Sequence, residues 1–265
     1  MMLAKKSKWI NAVLMIAIVC FVTIVALLAA TKLIKGTATL NIVAVGEKMP
    51  EVRVYCSDGT EYRRSNTQTS VYFCLDMACG VCTEQLPYIA RMINIFTDKE
   101  LELSVIWTDK IPKTTLIAPE HQLTLRGNAR IAPMTPYMFV VSSENIVQFA
   151  GTLNFSSLTQ YILSLSLDDY ADRALQELKH LGYIKEMQNI DILFVTANCF
   201  SCVEEYKKIR ENKGSGTDLV VITDGEITSI DEMYDPMIFS NIFNVQSYPS
   251  HILLSLEAQK HSNKE

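Results

Sequence analysis

Ser70-Val71-Tyr72-Phe73-Cys74-Leu75-Asp76-Met77-Ala78-Cys79-Gly80-Val81-Cys82 is the stretch from which the fold is read. Its first six residues form a compact β-prone run, the pattern of a buried strand. Beyond the cysteines, Leu86, Ile89, Ala90, Ile93 and Phe96 recur at helical spacing, so a helix begins at or near Cys79. Leu101, Leu103, Val105 and Trp107 then alternate as a strand, Tyr137–Ser142 and Val147–Ala150 read as two more, and Phe155–Leu165 reads as a closing helix. Upstream, Asp58-Gly59 is a turn signal between Val52–Cys56 and Thr60–Arg63, which predicts a hairpin. The order of elements implies an α/β sheet of mixed direction.

A strand that delivers C-x-x-C to a helix start places the first sulfur among unpaired N–H groups and at the positive end of the macrodipole. A thiolate is stabilised there, and a second cysteine one turn on can resolve the mixed disulfide that the first one forms. Cys79 and Cys82 are therefore the candidate catalytic pair. As a structural staple the pair closes almost no loop. A zinc site would borrow Cys199 and Cys202, but 116 residues separate the pairs, against about 15–20 in ribbon-type sites. No metal site and no cofactor are expected.

The rest of the composition bounds the setting. The chain has 265 residues, 49% hydrophobic, with a formal net charge of −5, which gives no basic footprint for nucleic acid. Residues 9–30 run 22 residues with only Asn11 and Thr23 polar, roughly 33 Å of helix and enough to span a bilayer. Lys5, Lys6 and Lys8 precede the run while Lys32 and Lys35 follow it, which favours a cytoplasmic N-terminus. The expected arrangement is a single-pass signal-anchor in residues 1–35, with the later domains extracytoplasmic in a cell envelope. A cleaved signal peptide is the competing reading, although no clean small-x-small site follows the run.

The plan then repeats in outline. Residues 168–188 form a charged helical connector. Ile190–Thr196 reads as a strand, Cys199-Phe200-Ser201-Cys202 opens a helix, Asp218–Thr223 is a strand, and Tyr248-Pro249 leads into His251–Leu256. Cys199 and Cys202 are a candidate second redox pair. The chain after Leu256 leaves no room for a last strand and helix, so the connector or the first unit is expected to cover the edge left open. A Cys56–Cys74 bridge is also weighed, against two free buried thiols.

Residues 46–166 resemble the membrane-anchored, thioredoxin-like disulfide reductases of the TlpA/ResA type. The resemblance rests on Val45-Gly46-Glu47-Lys48-Met49-Pro50, the Asp58-Gly59 turn, Cys79-Gly80-Val81-Cys82, Glu84-Gln85-Leu86-Pro87, and Thr135-Pro136 before a strand. It implies a thioredoxin-like mixed-sheet fold over 36–167 and a second, truncated unit over 189–265. It also implies that Pro136 is a cis-proline facing the cysteines, that Thr135 offers its backbone to a substrate chain, and that Pro249 is a second cis-proline. The activity implied is thiol–disulfide exchange. Its partners would be a disulfide-containing exported protein or peptide, a membrane redox partner, and the lipid bilayer through 9–30. A redox-inactive binding module, or a maturation factor specific for a secreted disulfide-containing peptide, is the alternative. Ala78 replaces the usual aromatic, and Phe73 stands where the proton-relay carboxylate would fall, which leaves the direction of electron flow open. A peroxiredoxin would need Pro at 72 and Thr at 76, where Tyr72 and Asp76 stand.

Overall fold

The structure, a computed structural model, describes Thr23 and residues 42–113, 116–125, 129–165, 170–185, 189–214, 217–225 and 232–255. The membrane segment expected at 9–30 lies outside the described residues, apart from Thr23. Among the described residues no helix is long and apolar enough to cross a membrane.

Two sheets organise the chain. The first is built from β1 (Val54–Cys56), β2 (Thr69–Leu75), β3 (Leu101–Trp107), β4 (Gln122–Leu125), β5 (Tyr137–Val141) and β6 (Val147–Thr152), in the order β1-β4-β3-β2-β5-β6. Helix α1 (Gly80–Phe96) makes the crossover that leaves β2 and β3 parallel, whereas β5 runs antiparallel to β2. This is a mixed α/β, thioredoxin-like arrangement. β2 sits at the centre, so both of its faces are buried, which explains its unbroken apolar run. Val71, Phe73 and Leu75 face the helices, while Tyr72 and Cys74 face a second apolar layer.

The hairpin expected at Asp58-Gly59 forms over a short span, with the Cys56 N–H donating to the Thr60 carbonyl at 2.9 Å and the Tyr62 N–H to the Val54 carbonyl at 2.8 Å. Gly59 adopts φ +86°, open to glycine without strain, and the Thr60 amide is held by the Asp58 carboxylate at 2.9 Å. The second arm contributes a single bridge, Tyr55 to Glu61. β1 also pairs along its whole length with β4, and the Tyr62 hydroxyl donates to Glu102 at 2.8 Å.

The second sheet is built from β7 (Asn189–Val195), β8 (Thr217–Thr223), β9 (Met233–Tyr234) and β10 (Ser250–Ser255), in the order β10-β7-β8-β9. Helix α4 (Phe200–Asn212) makes the crossover between β7 and β8, which are parallel; β9 is parallel to β8, and β10 is antiparallel to β7. Order and directions match β5-β2-β3-β4 strand for strand.

Between the sheets lie α1, α2 (Phe155–Leu165), α3 (Ala171–His180) and the short α5 (Ile238–Ile242). One continuous core joins them to Val71, Phe73 and Leu75 on one side and to Ile190, Ile192 and Phe194 on the other. Leu193, Val195 and Val221, on the opposite face of the second sheet, pack with Cys202 and Tyr206 of α4. Helices α1 and α4 therefore lie on opposite sides of that sheet.

Helix α3 is the expected connector, but it does not cover the open edge. Its Ala174, Leu175 and Leu178 enter the inter-sheet core, and Tyr170 packs on Phe96 of α1 at 4.8 Å. The apolar stripe of this helix is satisfied there and has nothing left for β10. Among the described residues β10 pairs only with β7, and its Leu253 is 64% exposed.

A buried ion pair also ties the sheets together. Arg91 of α1 reaches Asp235 at 3.3 Å, with the two side chains 7% and 0% exposed. Asp235 also accepts from the Phe239 amide at 2.9 Å, and the Arg91 guanidinium lies 5.2 Å from the Phe239 ring centre.

Candidate active site

Cys79 occupies the N-cap of α1 with extended backbone (φ −91°, ψ 107°), and the Cys82 N–H donates to its sulfur at 3.2 Å. A sulfur thus takes the role that a Ser or Asp oxygen usually has at a helix start. The backbone donor is one that an anionic sulfur strengthens. Cys79 is half-buried and Cys82 is buried. The Cys79 thiol lies below its ordinary pKa, chiefly because the Cys82 thiol donates to it, with the Cys82 backbone N–H adding to the effect. Burial, and its role as that donor, push Cys82 up to about 11. The two sulfurs therefore have distinct parts: one half-buried and more easily ionised than an ordinary thiol, the other buried and held protonated.

The Thr135-Pro136 bond is cis, and the Thr135 carbonyl accepts from the Cys79 thiol at 3.6 Å. Thr135 and Pro136 are only half-buried, so the main chain beside the sulfur is open to another extended chain. Met77, two residues before Cys79, Val81, between the cysteines, and Met134, just before Thr135, are 49%, 53% and 55% exposed. Sequence reasoning did not single them out, although large apolar residues flanking a polar-atom site are the readable signal.

Asp76 is engaged on both carboxylate oxygens. β2 ends at Leu75, so the alternation stops there, and the carboxylate turns back to accept from the Ala78 amide and the Thr108 hydroxyl, each at 2.8 Å. The first contact is an Asx turn, which Asp followed by a turn can announce. Asp76 and Thr108 also line a cavity of about 370 Å³ that extends past Arg130 and Met134 to Thr135. Phe73 is fully buried among the helices and offers no proton.

The second C-x-x-C reproduces this frame. β2 and β7 each have seven residues, and in each case three residues separate the strand end from the first cysteine. Cys199 is the N-cap of α4 and accepts from the Cys202 N–H at 3.1 Å, and the two sulfurs are joined in a disulfide. Cys74 pairs with Tyr137, the residue after Pro136; Phe194, at the matching place in β7, pairs with Ser250, the residue after Pro249. That common register puts Tyr248 where Thr135 stands. The Tyr248-Pro249 bond is cis, and Tyr248 packs in the cluster that holds Cys199 and Cys202. Gly225 lies so close to the loop before Cys199 that a Cβ would come within 2.8 Å of Ala197.

The sheet register excludes the Cys56–Cys74 bridge. Cys56 is opposite Leu123, Leu123 is opposite Ile106, and Ile106 is opposite Cys74. Three strand steps are roughly 14 Å, whereas a disulfide needs Cα atoms within about 7 Å. Both thiols are free, and burial pushes Cys74 far up.

No family model and no curated protein matches the chain. Among solved structures, a domain of a possible thiol-disulfide isomerase from Cytophaga hutchinsonii is 14% identical, over 51% of this chain and 98% of its own, with a TM-score of 0.38. A thiol:disulfide interchange protein from a Bacteroides species is 15% identical over 41% of this chain and 81% of its own, with a TM-score of 0.32. The thioredoxin domain of a thiol-disulfide oxidoreductase from Bacteroides vulgatus is 14% identical over 52% of this chain and 98% of its own, with a TM-score of 0.33.

Proposed function

We propose that the chain is an extracytoplasmic thiol–disulfide oxidoreductase, held in a cell membrane by residues 9–30 with its N-terminus cytoplasmic. The observation that carries the redox reading is the asymmetry of one pair: Cys79 half-exposed, capping a helix and shifted toward thiolate, and Cys82 buried and kept protonated. Cys79 attacks a disulfide sulfur of an exported protein or peptide and expels the other substrate sulfur as thiolate. Cys82, losing its proton, then attacks Cys79, which releases the substrate as a dithiol and leaves the Cys79–Cys82 disulfide. A membrane redox partner returns the pair to the dithiol, or removes electrons if the cycle runs in reverse. Thr135 presents its main chain to the substrate beside the sulfur. The length of the 9–30 run and the lysines before it support the anchor and its orientation.

Trapping tests this reading. In full chain exposed to oxidised insulin, Cys82→Ser is expected to accumulate mixed disulfides at Cys79, and Cys79→Ser to accumulate none at Cys82. Equal trapping by the two variants would refute the assignment of roles. Insulin left unreduced by the intact chain and untrapped by Cys82→Ser would favour a binding module. Topology is checked separately: a phosphatase fused at Glu265 is expected to be active only outside the cytoplasm.

A further inference from the structure

The function proposed for Cys79 and Cys82 leaves the second pair unused. We propose that Cys199 and Cys202 form a second exchange site that serves its own partner, a peptide dithiol with an apolar residue beside a cysteine, and that does not exchange with Cys79 within one chain. Three observations carry this.

The first is chemical. Cys199 is half-exposed at the helix start and Cys202 is fully buried, so only Cys199 offers its sulfur to an incoming thiolate. The strand register puts Tyr248 at the position that Thr135 holds in the first site, and Tyr248 packs in the cluster that holds Cys199. The second is positional. α1 packs on the inner face of the second sheet and α4 on its outer face, so the helix axes are on the order of 20 Å apart. A bond between Cys79 and Cys199 would need Cα atoms within about 7 Å. The buried Arg91–Asp235 pair fixes α1 against the inner side of that sheet. The third is the surface. Phe200, directly after Cys199, is 77% exposed, where the first site has Gly80. A large apolar ring left in water beside a reactive sulfur fits an apolar residue on the incoming chain.

In the exchange, one substrate thiolate attacks the Cys199 sulfur. The Cys199–Cys202 bond breaks, and Cys202 leaves as a thiolate that takes up a proton. The second substrate thiolate then attacks the substrate sulfur of the mixed disulfide, forming the substrate disulfide and freeing Cys199, which takes up the second proton. Two electrons and two protons pass from the substrate dithiol to the pair.

The test uses full chain in which Cys79→Ser and Cys82→Ser have removed the first pair, so its outcome is independent of the first site. Adding Cys202→Ser leaves Cys199 to attack the oxidised form of a probe peptide with Phe next to cysteine, the same exchange in reverse. Mass spectrometry is expected to find the mixed disulfide at Cys199, formed at least about tenfold faster than at Cys202 in the counterpart carrying Cys199→Ser. Restoring Gly in place of Phe in the probe should slow it. Equal trapping, no trapping by chain that retains native circular dichroism, or indifference to the Phe would overturn the site or its partner class. Separately, in Cys82→Ser/Cys202→Ser chain no Cys79–Cys199 bond is expected at a rate independent of protein concentration. Such a bond would overturn the separation.

Discussion

The two C-x-x-C sites share a junction and differ in what surrounds it. In both, three residues separate the end of a seven-residue strand from a cysteine that caps a helix with its own sulfur. Around the first, α1 buries nine residues in the core between the sheets; around the second, α4 buries only Cys202 and Tyr206. The first sheet gains a flanking strand on each side, while among the described residues β10 ends the second. The junction is a local device that any strand-to-helix turn of this register recreates. What a site can meet is set instead by the layers packed on either side of it.

The sharpest way to break this comparison is to unlock the sheets. Asp235→Ala strands a buried guanidinium, which costs about 3–5 kcal/mol, and urea unfolding followed by fluorescence should show the loss. Arg91→Met combined with Asp235→Leu should recover much of it, because both charges then leave together. A small loss in the single variant would mean that the sheets are held by apolar packing alone. The next effect is local. Amides of α4 are expected to exchange with deuterium on the order of tenfold faster than those of α1. Equal protection would remove the contrast in support.

A third effect depends on pH. Burial raises the Asp235 carboxyl from 3.8 to about 6, against the pull of Arg91. The folded chain therefore binds this proton more tightly than the unfolded chain does. The associated stability is complete below about pH 4 and is lost as pH rises toward about 6. Asp235→Asn should flatten that slope in thermal unfolding measured from pH 4 to 7. The smallest effect is at the second rim. Phe200→Ala should change stability by less than about 0.5 kcal/mol, since the ring is mostly in water. A larger loss would mean that the ring packs rather than waits for a partner.

What could be read from the residues was the local part. The strand into Cys79, the helix after it and the Thr135-Pro136 step each depend on neighbours within a few positions, where periodicity and turn chemistry act. The contacts of Asp76 were not legible, because β2 stops one residue before it and its Thr108 partner is 32 residues away. The pairing of β1 with β4, which separates Cys56 from Cys74, depends on register between distant segments. So does Arg91–Asp235, whose partners are 144 residues apart. No local pattern records either. The connector's stripe was legible, but not the surface that it would cover.

Cys79 is held below the pKa of an ordinary thiol and Cys82 above it. Site-resolved alkylation of the reduced full chain with iodoacetamide, followed by mass spectrometry across pH, measures this directly. Cys79 is expected to reach half-maximal reactivity below the ~8.5 of a free cysteine, while Cys82 stays unlabelled until the pH approaches about 11. Labelling of Cys79 that rises only at or above the free-thiol value, or labelling of Cys82 first, would contradict the account.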